Sequence, residues 1–363
     1  MTPKERMALP PQEMPQQEPA VRAHNMNEVA LGYTAEMAQR EATRCLQCPT
    51  KPCMQGCPVA INIPGFLAKA AAGDFAGALK IIKETSLLPA VCGRVCPQEK
   101  QCQKFCTMGK LKKDVEKAVA IGRVERFCAD LARESGTEEP VACAPKTGKK
   151  VAVIGSGPAS ITCAADCAKA GHAVTLFEAF HKCGGVLVYG IPEFRLPKAI
   201  VQHEIEGLGK IGVTIDTNYV VGHTRKLRDL MEKDGFDAVF VGTGAGLPKF
   251  MGIEGENLNG VFSANEYLTR ANLMKAYREG ADPSYPELQA DTFQDVFKAI
   301  GVTGQKLRIG IASFLDTSMT IYQAICDAFP GAEFVNAGYI MTELRQIKSE
   351  NELACLREGY RLA

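Results

Sequence analysis

At 363 residues and 46% apolar content, the chain is long enough for about two or three domains with buried cores. Forty-two basic against forty-one acidic residues leave a net charge of +1, which excludes a bulk attraction to nucleic acid or to an anionic membrane surface. The opening "MTPKERMALPPQEMPQQEP" has no apolar h-region, and no later stretch approaches the roughly 18 apolar residues of a membrane span, so a cytoplasmic protein is expected.

Residues 1–25 are rich in Pro and Gln and read as an extended segment. The stretch "RCLQCPTKPCMQGCPV" then carries Cys45, Cys48, Cys53 and Cys57, followed by Pro58. After it, "IPGFLAKAAAGDFAGALKIIKE" spaces Phe66, Ala70, Phe75, Leu79 and Ile82 as the buried side of a helical hairpin. A second stretch carries Cys92, Cys96, Pro97, Cys102 and Cys106, so eight of the fifteen cysteines fall within 62 residues. In a reducing compartment so dense a set suits metal or cluster ligands better than disulfides. Structural zinc sites usually set two short pairs about 12 to 20 residues apart and often include His. Here His24 precedes both groups, and the next histidine is His172. Bacterial ferredoxins instead end a cysteine run in Cys-Pro, whose last thiolate crosses to a second cluster. Both groups contain a Cys-Pro step, so the spacing predicts two 4Fe-4S clusters, with a zinc-stabilised interaction module as the alternative. By the same logic Cys57 leaves the first group's cluster and a cysteine of the second group returns to it, which interlocks the two loops.

"AIGRVERF" follows at 120–127. Together with "RCLQC", "GCPV" and "LPAVCGRVCPQEKQC", it makes residues 18–282 resemble the small (beta) subunit of bacterial NAD(P)H-dependent glutamate synthase, with the N-terminal part of dihydropyrimidine dehydrogenase as a relative. The resemblance implies one cluster on Cys45, Cys48, Cys53 and Cys106, and another on Cys57, Cys96, Cys102 and Glu125, with Cys92 left over. Spacing alone assigns all eight thiols to the clusters and leaves Glu125 as a solvated helix residue. "KLKK" at 110–113 reads as a solvated loop, and the scattered cysteines from Cys128 onward as buried or inert.

The text then changes to "KKVAVIGSGPASITCAADCAKAGHAVTLFEA". Lys150 to Ile154 predicts a buried parallel strand, Gly155 and Gly157 a turn, Ala159 to Lys169 a helix, and Ala173 to Phe177 a second strand closed by Glu178. That order is the dinucleotide-binding pattern: backbone N–H groups at the helix start face a pyrophosphate, and the acid holds a ribose hydroxyl. Gly155, Gly157, Pro158, Ala159 and Ser160 are therefore candidate cofactor contacts, with Ser160 standing where the fingerprint has Gly. "FDAVFVGTGAGLP" gives another apolar strand, Ala238 to Val241, and Gly244 in the glycines after it suits close approach to a cofactor. "CGGVLVYGIPEFRLPK" is similar to the flavin-contacting loop of the family, which implies that Glu178, Gly185, Arg195 and the backbone near Val221 face FAD.

In the family an inserted NADPH-binding domain and the closing strands of the FAD domain come next. From about residue 282 no second strand–GxGxxG–helix unit follows, so the NADPH site is expected to be missing. The tail predicts a strand at 307–312, a helix at 317–328, a strand at 333–335 and a last helix with Leu353, Leu356 and Tyr360 on one face. "ELRQIKSENELACLREGYRLA" is similar to the end of the N-terminal domain of creatinase and Xaa-Pro aminopeptidase type proteins. Their metal-binding half is not encoded, so peptidase activity is not implied. The tail is a creatinase-like fragment, an ordinary βαβ piece or a fused reading frame.

The expected fold class is α+β multidomain: an extended segment (1–25), a helical domain with two clusters (26–145), the first part of a Rossmann-like FAD domain (146–282) and a short α/β tail (283–363). The resemblance implies an NAD(P)H-dependent oxidoreductase module. Electrons would pass through FAD and the clusters to an FMN-containing large subunit of the glutamate synthase alpha type, or to the acceptor of a dihydropyrimidine dehydrogenase or ferredoxin:NADP type relative. No nucleic-acid or membrane partner is expected.

Overall fold

The computed structural model describes residues 1–137, 141–258 and 260–273, then residues 308–311, 323, 326–327 and 329–336. The chain divides into two compact units, Met1–Tyr277 and Arg278–Ala363.

The first half of the larger unit is helical. Helices Ile63–Ala71 and Phe75–Lys83 form the hairpin that the apolar spacing predicts. Asn62 and Asp74 cap them by accepting the N–H groups of Gly65 and Gly77, and Gly73, with φ +80°, makes the turn between them. Phe66, Ala70, Leu79 and Ile82 are buried. Phe75 sits at the margin with its ring edge-on to Phe127, 4.8 Å between centroids. Residues 1–25 are less extended than their composition suggests. "TPKE" is a capping box, in which Thr2 and Glu5 each accept the other's backbone N–H, and it starts the helix Pro3–Ala8. A further turn of helix spans Pro19–Arg22.

Two devices position the cysteine loops. Glu41 and Arg44, on and just after the helix Ala35–Thr43, are 0% and 2% exposed and pair at 2.5 Å. Glu41 also accepts the N–H groups of Gln12 and Ala120, and Arg44 donates to the carbonyls of Lys117 and Ala118. One ion pair thus ties three segments of chain together. The second device is the crossing of helices Pro89–Val95 and Ile121–Ser135. A Cβ at Gly93 would lie 2.7 Å from the Arg126 nitrogen and from the Gly122 carbonyl. Gly93→Ala is therefore expected to cost about 1–3 kcal/mol through forced separation of the helices. Urea unfolding followed by circular dichroism reads that loss.

The second half is a parallel sheet in the order β3-β2-β1-β4, with β1 (Lys150–Ile154), β2 (Ala173–Phe177), β3 (Thr214–Asp216) and β4 (Ala238–Val241). Helix Pro158–Lys169 connects β1 to β2, and Lys198–Lys210 lies between β2 and β3. Ile161, Ala164, Ala165 and Ala168 are buried against the sheet, where small alanines permit close helix–sheet packing. Strand order reverses at β1, between β2 and β4, which makes the carboxyl ends of β1 and β4 the place where a doubly wound sheet takes its ligand. Among the described residues β4 is more open than its apolar sequence suggests, with Ala238 and Val241 exposed.

In the smaller unit, β5 (Arg308–Ile311) runs parallel to β6 (Glu333–Asn336). The helix expected at 317–328 falls mostly outside the described residues, and the last helix wholly so. Among the described residues no helix is long and apolar enough to cross a membrane.

Candidate cluster and nucleotide sites

The first four thiols are gathered by a loop and a returning helix. The 45–57 loop is anchored by Arg6, which donates to the Cys45 carbonyl at 2.6 Å and to that of Thr43 at 3.2 Å. It is pressed against the helix Cys102–Phe105 at Gly56, where a Cβ would lie 2.7 Å from the Gln101 carbonyl and collide with the Phe105 ring. As a result Cys45, Cys48, Cys53 and Cys106 line one cavity, whose remaining wall includes Ile63, Leu67, Met108 and Ile121. Gln47 donates to the Cys45 sulfur at 3.4 Å, and Cys48 donates to the Thr107 hydroxyl at 3.2 Å. Burial, with Cys106 and the neighbouring thiols adding repulsion, pushes Cys45 up to about 11 and Cys53 to about 12. Such a pocket keeps thiols protonated until a cation compensates them.

The second set forms where the same loops meet the helix Ile121–Ser135. Glu125 is not the solvated residue that spacing alone suggests: it is 6% exposed, and burial followed by the nearby Cys96 raises its carboxyl to about 8. Its Oε1 has no hydrogen-bond partner among the described residues. A buried, unpaired carboxyl oxygen near sulfurs is costly by itself and is chemically suited to act as a metal ligand. Cys102 is pushed to about 12 by burial and then by Glu125, Cys57 and Cys96, which places those three groups within electrostatic reach of Cys102. Cys92 belongs to the neighbourhood too. Its thiol donates to Cys96, which raises Cys92 and lowers Cys96 to about 7. Cys92 is also hydrogen-bonded with Ser86.

Among the described residues no group of three or more His, Cys, Asp or Glu side chains is gathered tightly enough for a single metal ion. Cys45, Cys48, Cys53 and Cys106 line a shared cavity, and an all-thiol donor set without His suits an iron-sulfur cluster. The described cysteines are free thiols.

The nucleotide site is built at the ends of β1 and β4. Gly155, at φ +90°, approaches the Gly242 carbonyl so closely that a Cβ would overlap it. Gly157 and Gly244 have no atom within 4 Å of where a Cβ would stand, so the turn is open on those sides. Gly185, at φ +52°, stacks its backbone on the turn, with its would-be Cβ 2.8 Å from the Gly157 Cα. Pro158 and Ala159 are exposed at the helix start. Ser160 is turned inward and donates to the Gly242 carbonyl at 3.2 Å, so the residue that departs from the fingerprint braces the helix against the end of β4. Glu178 is buried at the end of β2 and accepts the Phe180 N–H at 2.8 Å. Ser156, which sequence reasoning passed over as the middle residue of Gly-Ser-Gly, donates to Glu178 and accepts the Gly184 N–H at 2.9 Å. It joins the turn, the acid and the "CGG" loop. The structure does not gather Arg195, which is exposed on the turn after Pro192. Val221 is half-buried and packs on the cluster that contains Phe177.

Residues 22–137 match the family described as "Dihydroprymidine dehydrogenase domain II, 4Fe-4S cluster", and residues 149–281 that described as "Pyridine nucleotide-disulphide oxidoreductase". Residues 224–347 match "Creatinase/Prolidase N-terminal domain", a range that begins well before the tail from which that likeness was read and overlaps the oxidoreductase match. The glutamate synthase (NADPH) small chain of Azospirillum brasilense is 33% identical over 277 residues, 74% of this chain and 56% of its own length. The NAD-dependent dihydropyrimidine dehydrogenase subunit PreT of Escherichia coli (strain K12) is 39% identical over 241 residues, 65% of this chain and 55% of its own. The glutamate synthase (NADPH) small chain of the same strain is 36% identical over 241 residues, 66% and 50%. The chain thus spans about half the length of the curated relatives it matches. With an iron-sulfur domain followed by a pyridine nucleotide oxidoreductase domain, it is a homologue of the glutamate synthase small chains and of the PreT subunits.

Proposed function

We propose that the chain is part of an electron-transfer oxidoreductase that passes electrons from NAD(P)H through FAD to two 4Fe-4S clusters and on to a partner subunit, of which it holds the cluster domain and the first part of the FAD domain. The observation that carries this reading is the cavity lined by Cys45, Cys48 and Cys53 from one loop and Cys106 from another. These four hold one cluster, and Cys57, Cys96, Cys102 and Glu125 hold the other. Bound flavin supplies the conversion between the electron pairs of nicotinamide and the single electrons of a cluster.

The chain's own residues do the rest. Ile63, Leu67, Met108 and Ile121 exclude water from the first thiol set, and the Gln47 amide directs a hydrogen bond at the Cys45 sulfur, a lever on reduction potential. The Gly155–Gly157 turn offers backbone N–H groups to a pyrophosphate at the start of the helix Pro158–Lys169, and Glu178 accepts from a ribose hydroxyl. Replacing Ser156 with Ala unties Gly184 from this turn, and flavin affinity is expected to fall about tenfold, read by fluorescence titration.

The partner fits one of two descriptions. An FMN-containing large subunit of the glutamate synthase alpha type follows from the small-chain relatives, and the catalytic subunit of a dihydropyrimidine dehydrogenase follows from the 39% identity to PreT. Anaerobic purification with iron, sulfide and flavin counted per chain tests the module itself. About eight iron atoms and a brown colour bleached by dithionite are expected. A colourless protein containing zinc would replace this reading with that of a zinc-stabilised interaction module.

A further inference from the structure

The stretch 99–117 holds six lysines against three acids, whereas the whole chain carries a net charge of only +1. It is also the stretch that holds Cys102 and Cys106. "KLKK" is not the loop that composition suggests: Lys110 to Lys112 form the last turn of the helix Thr107–Lys112, and Lys113 follows in the left-handed conformation. Helix and turn fold the charges onto one groove, lined by four lysines (Lys100, Lys104, Lys110 and Lys113) and two acids (Glu99 and Asp114). Leu111 and Val115, 59% and 37% exposed, stand among these lysines, which gives the patch an apolar element within a basic surround.

The patch adjoins the first thiol set through Phe105, which lies between it and the 45–57 loop. Lys104 lies on the short helix between Cys102 and Cys106. The Lys110 ammonium sits 5.4 Å from the centre of the Phe105 ring, and that ring is the one pressed against Gly56 of the 45–57 loop. Lys117 is paired with Asp114 at 3.5 Å, which leaves the positive charge concentrated at positions 100 to 113. Single-stranded nucleic acid would need open aromatic faces for stacking, and the aromatic ring here, Phe105, is half-buried with Lys110 over it.

We infer that the lysine groove at residues 99–117 is the docking surface for an acidic electron-transfer protein, which it holds against the edge of the first thiol set. The inference rests on the electron-transfer reading above and adds to it where the partner lands and with what charge. Weak redox encounters bury little area and depend on complementary charge for rate and orientation, so a basic groove beside a cluster is the chemistry they use.

The test uses the full chain, purified anaerobically, and an acidic flavodoxin as the probe. Its binding is followed by fluorescence anisotropy at low and physiological salt, and its reduction by the dithionite-reduced chain is followed by stopped flow. The expected result is binding that weakens with salt, and a loss of about tenfold or more in both affinity and rate in Lys104→Glu/Lys110→Glu/Lys113→Glu. Reduction of a neutral quinone should be unchanged in that variant, because no ligand is touched. Binding insensitive to salt, a triple variant that binds like the parent, or tighter binding to a DNA oligonucleotide than to flavodoxin overturns the inference. A preparation without iron overturns the electron-transfer reading instead, and the anisotropy titration still decides whether the surface takes an acidic protein.

Discussion

Glu125→Ala is expected to halve the iron of the anaerobically purified chain, from about eight atoms to about four, while Cys92→Ser leaves about eight. The two substitutions divide the possibilities cleanly because both side chains approach Cys96 and the proposed second set includes only Glu125. Oε1 of Glu125 is buried with no hydrogen-bond partner among the described residues, and Cys96 is near enough to raise its carboxyl. Cys92 is already engaged, with its thiol donating to Cys96 and hydrogen-bonded with Ser86. A ligand that is lost takes its whole cluster with it, so the effect is a step in iron content and not a gradual decline. Iron and sulfide assays, with the cluster signals in electron paramagnetic resonance after reduction, read that step. Loss of iron in Cys92→Ser with full iron in Glu125→Ala would reverse the assignment.

Glu41→Ala is expected to lower stability by about 3–5 kcal/mol, since it strands a buried guanidinium. Arg44 is 2% exposed and would keep only carbonyl partners for its charge. The N–H groups of Gln12 and Ala120 lose their acceptor at the same time. Glu41→Met/Arg44→Met removes both charges and should recover much of the loss, because desolvation of the pair offsets most of its attraction. Urea denaturation of all three proteins measures it. A Glu41→Ala midpoint equal to the parent's would show that solvent reaches Arg44 freely.

Much of the fold was legible in local pattern. The hairpin followed from apolar spacing, and β1, its helix and β2 followed from a β-branched run, paired glycines and an alanine-lined helix face. The capping box at Thr2 and Glu5 was missed, because a Pro- and Gln-rich composition suggested an extended segment and hid the Thr-x-x-Glu pattern. Long-range contacts were not legible. Spacing named the eight thiols, but which of them share a cavity depends on Gly56 meeting Gln101 and on Gly93 meeting Gly122, pairs whose closeness no periodicity encodes. Glu125 shows the limit most plainly. On its own helix it is one charged residue among several, and only the packing of Pro89–Val95 across that helix turns its position into an interior one. Ser156 was hidden for the opposite reason: a small polar residue between two glycines carries no pattern, and its role depends on Glu178 and Gly184 arriving from later in the chain.

The contact of Gly56 with Gln101 and Phe105 also orders events in time. Synthesis runs from the N-terminus, and the 45–57 loop has nothing to close against until residue 106 has emerged. Until then its sulfurs are unshielded and free to cross-link with one another. A nascent chain therefore depends on a reducing compartment to keep these thiols unpaired until the two loops meet.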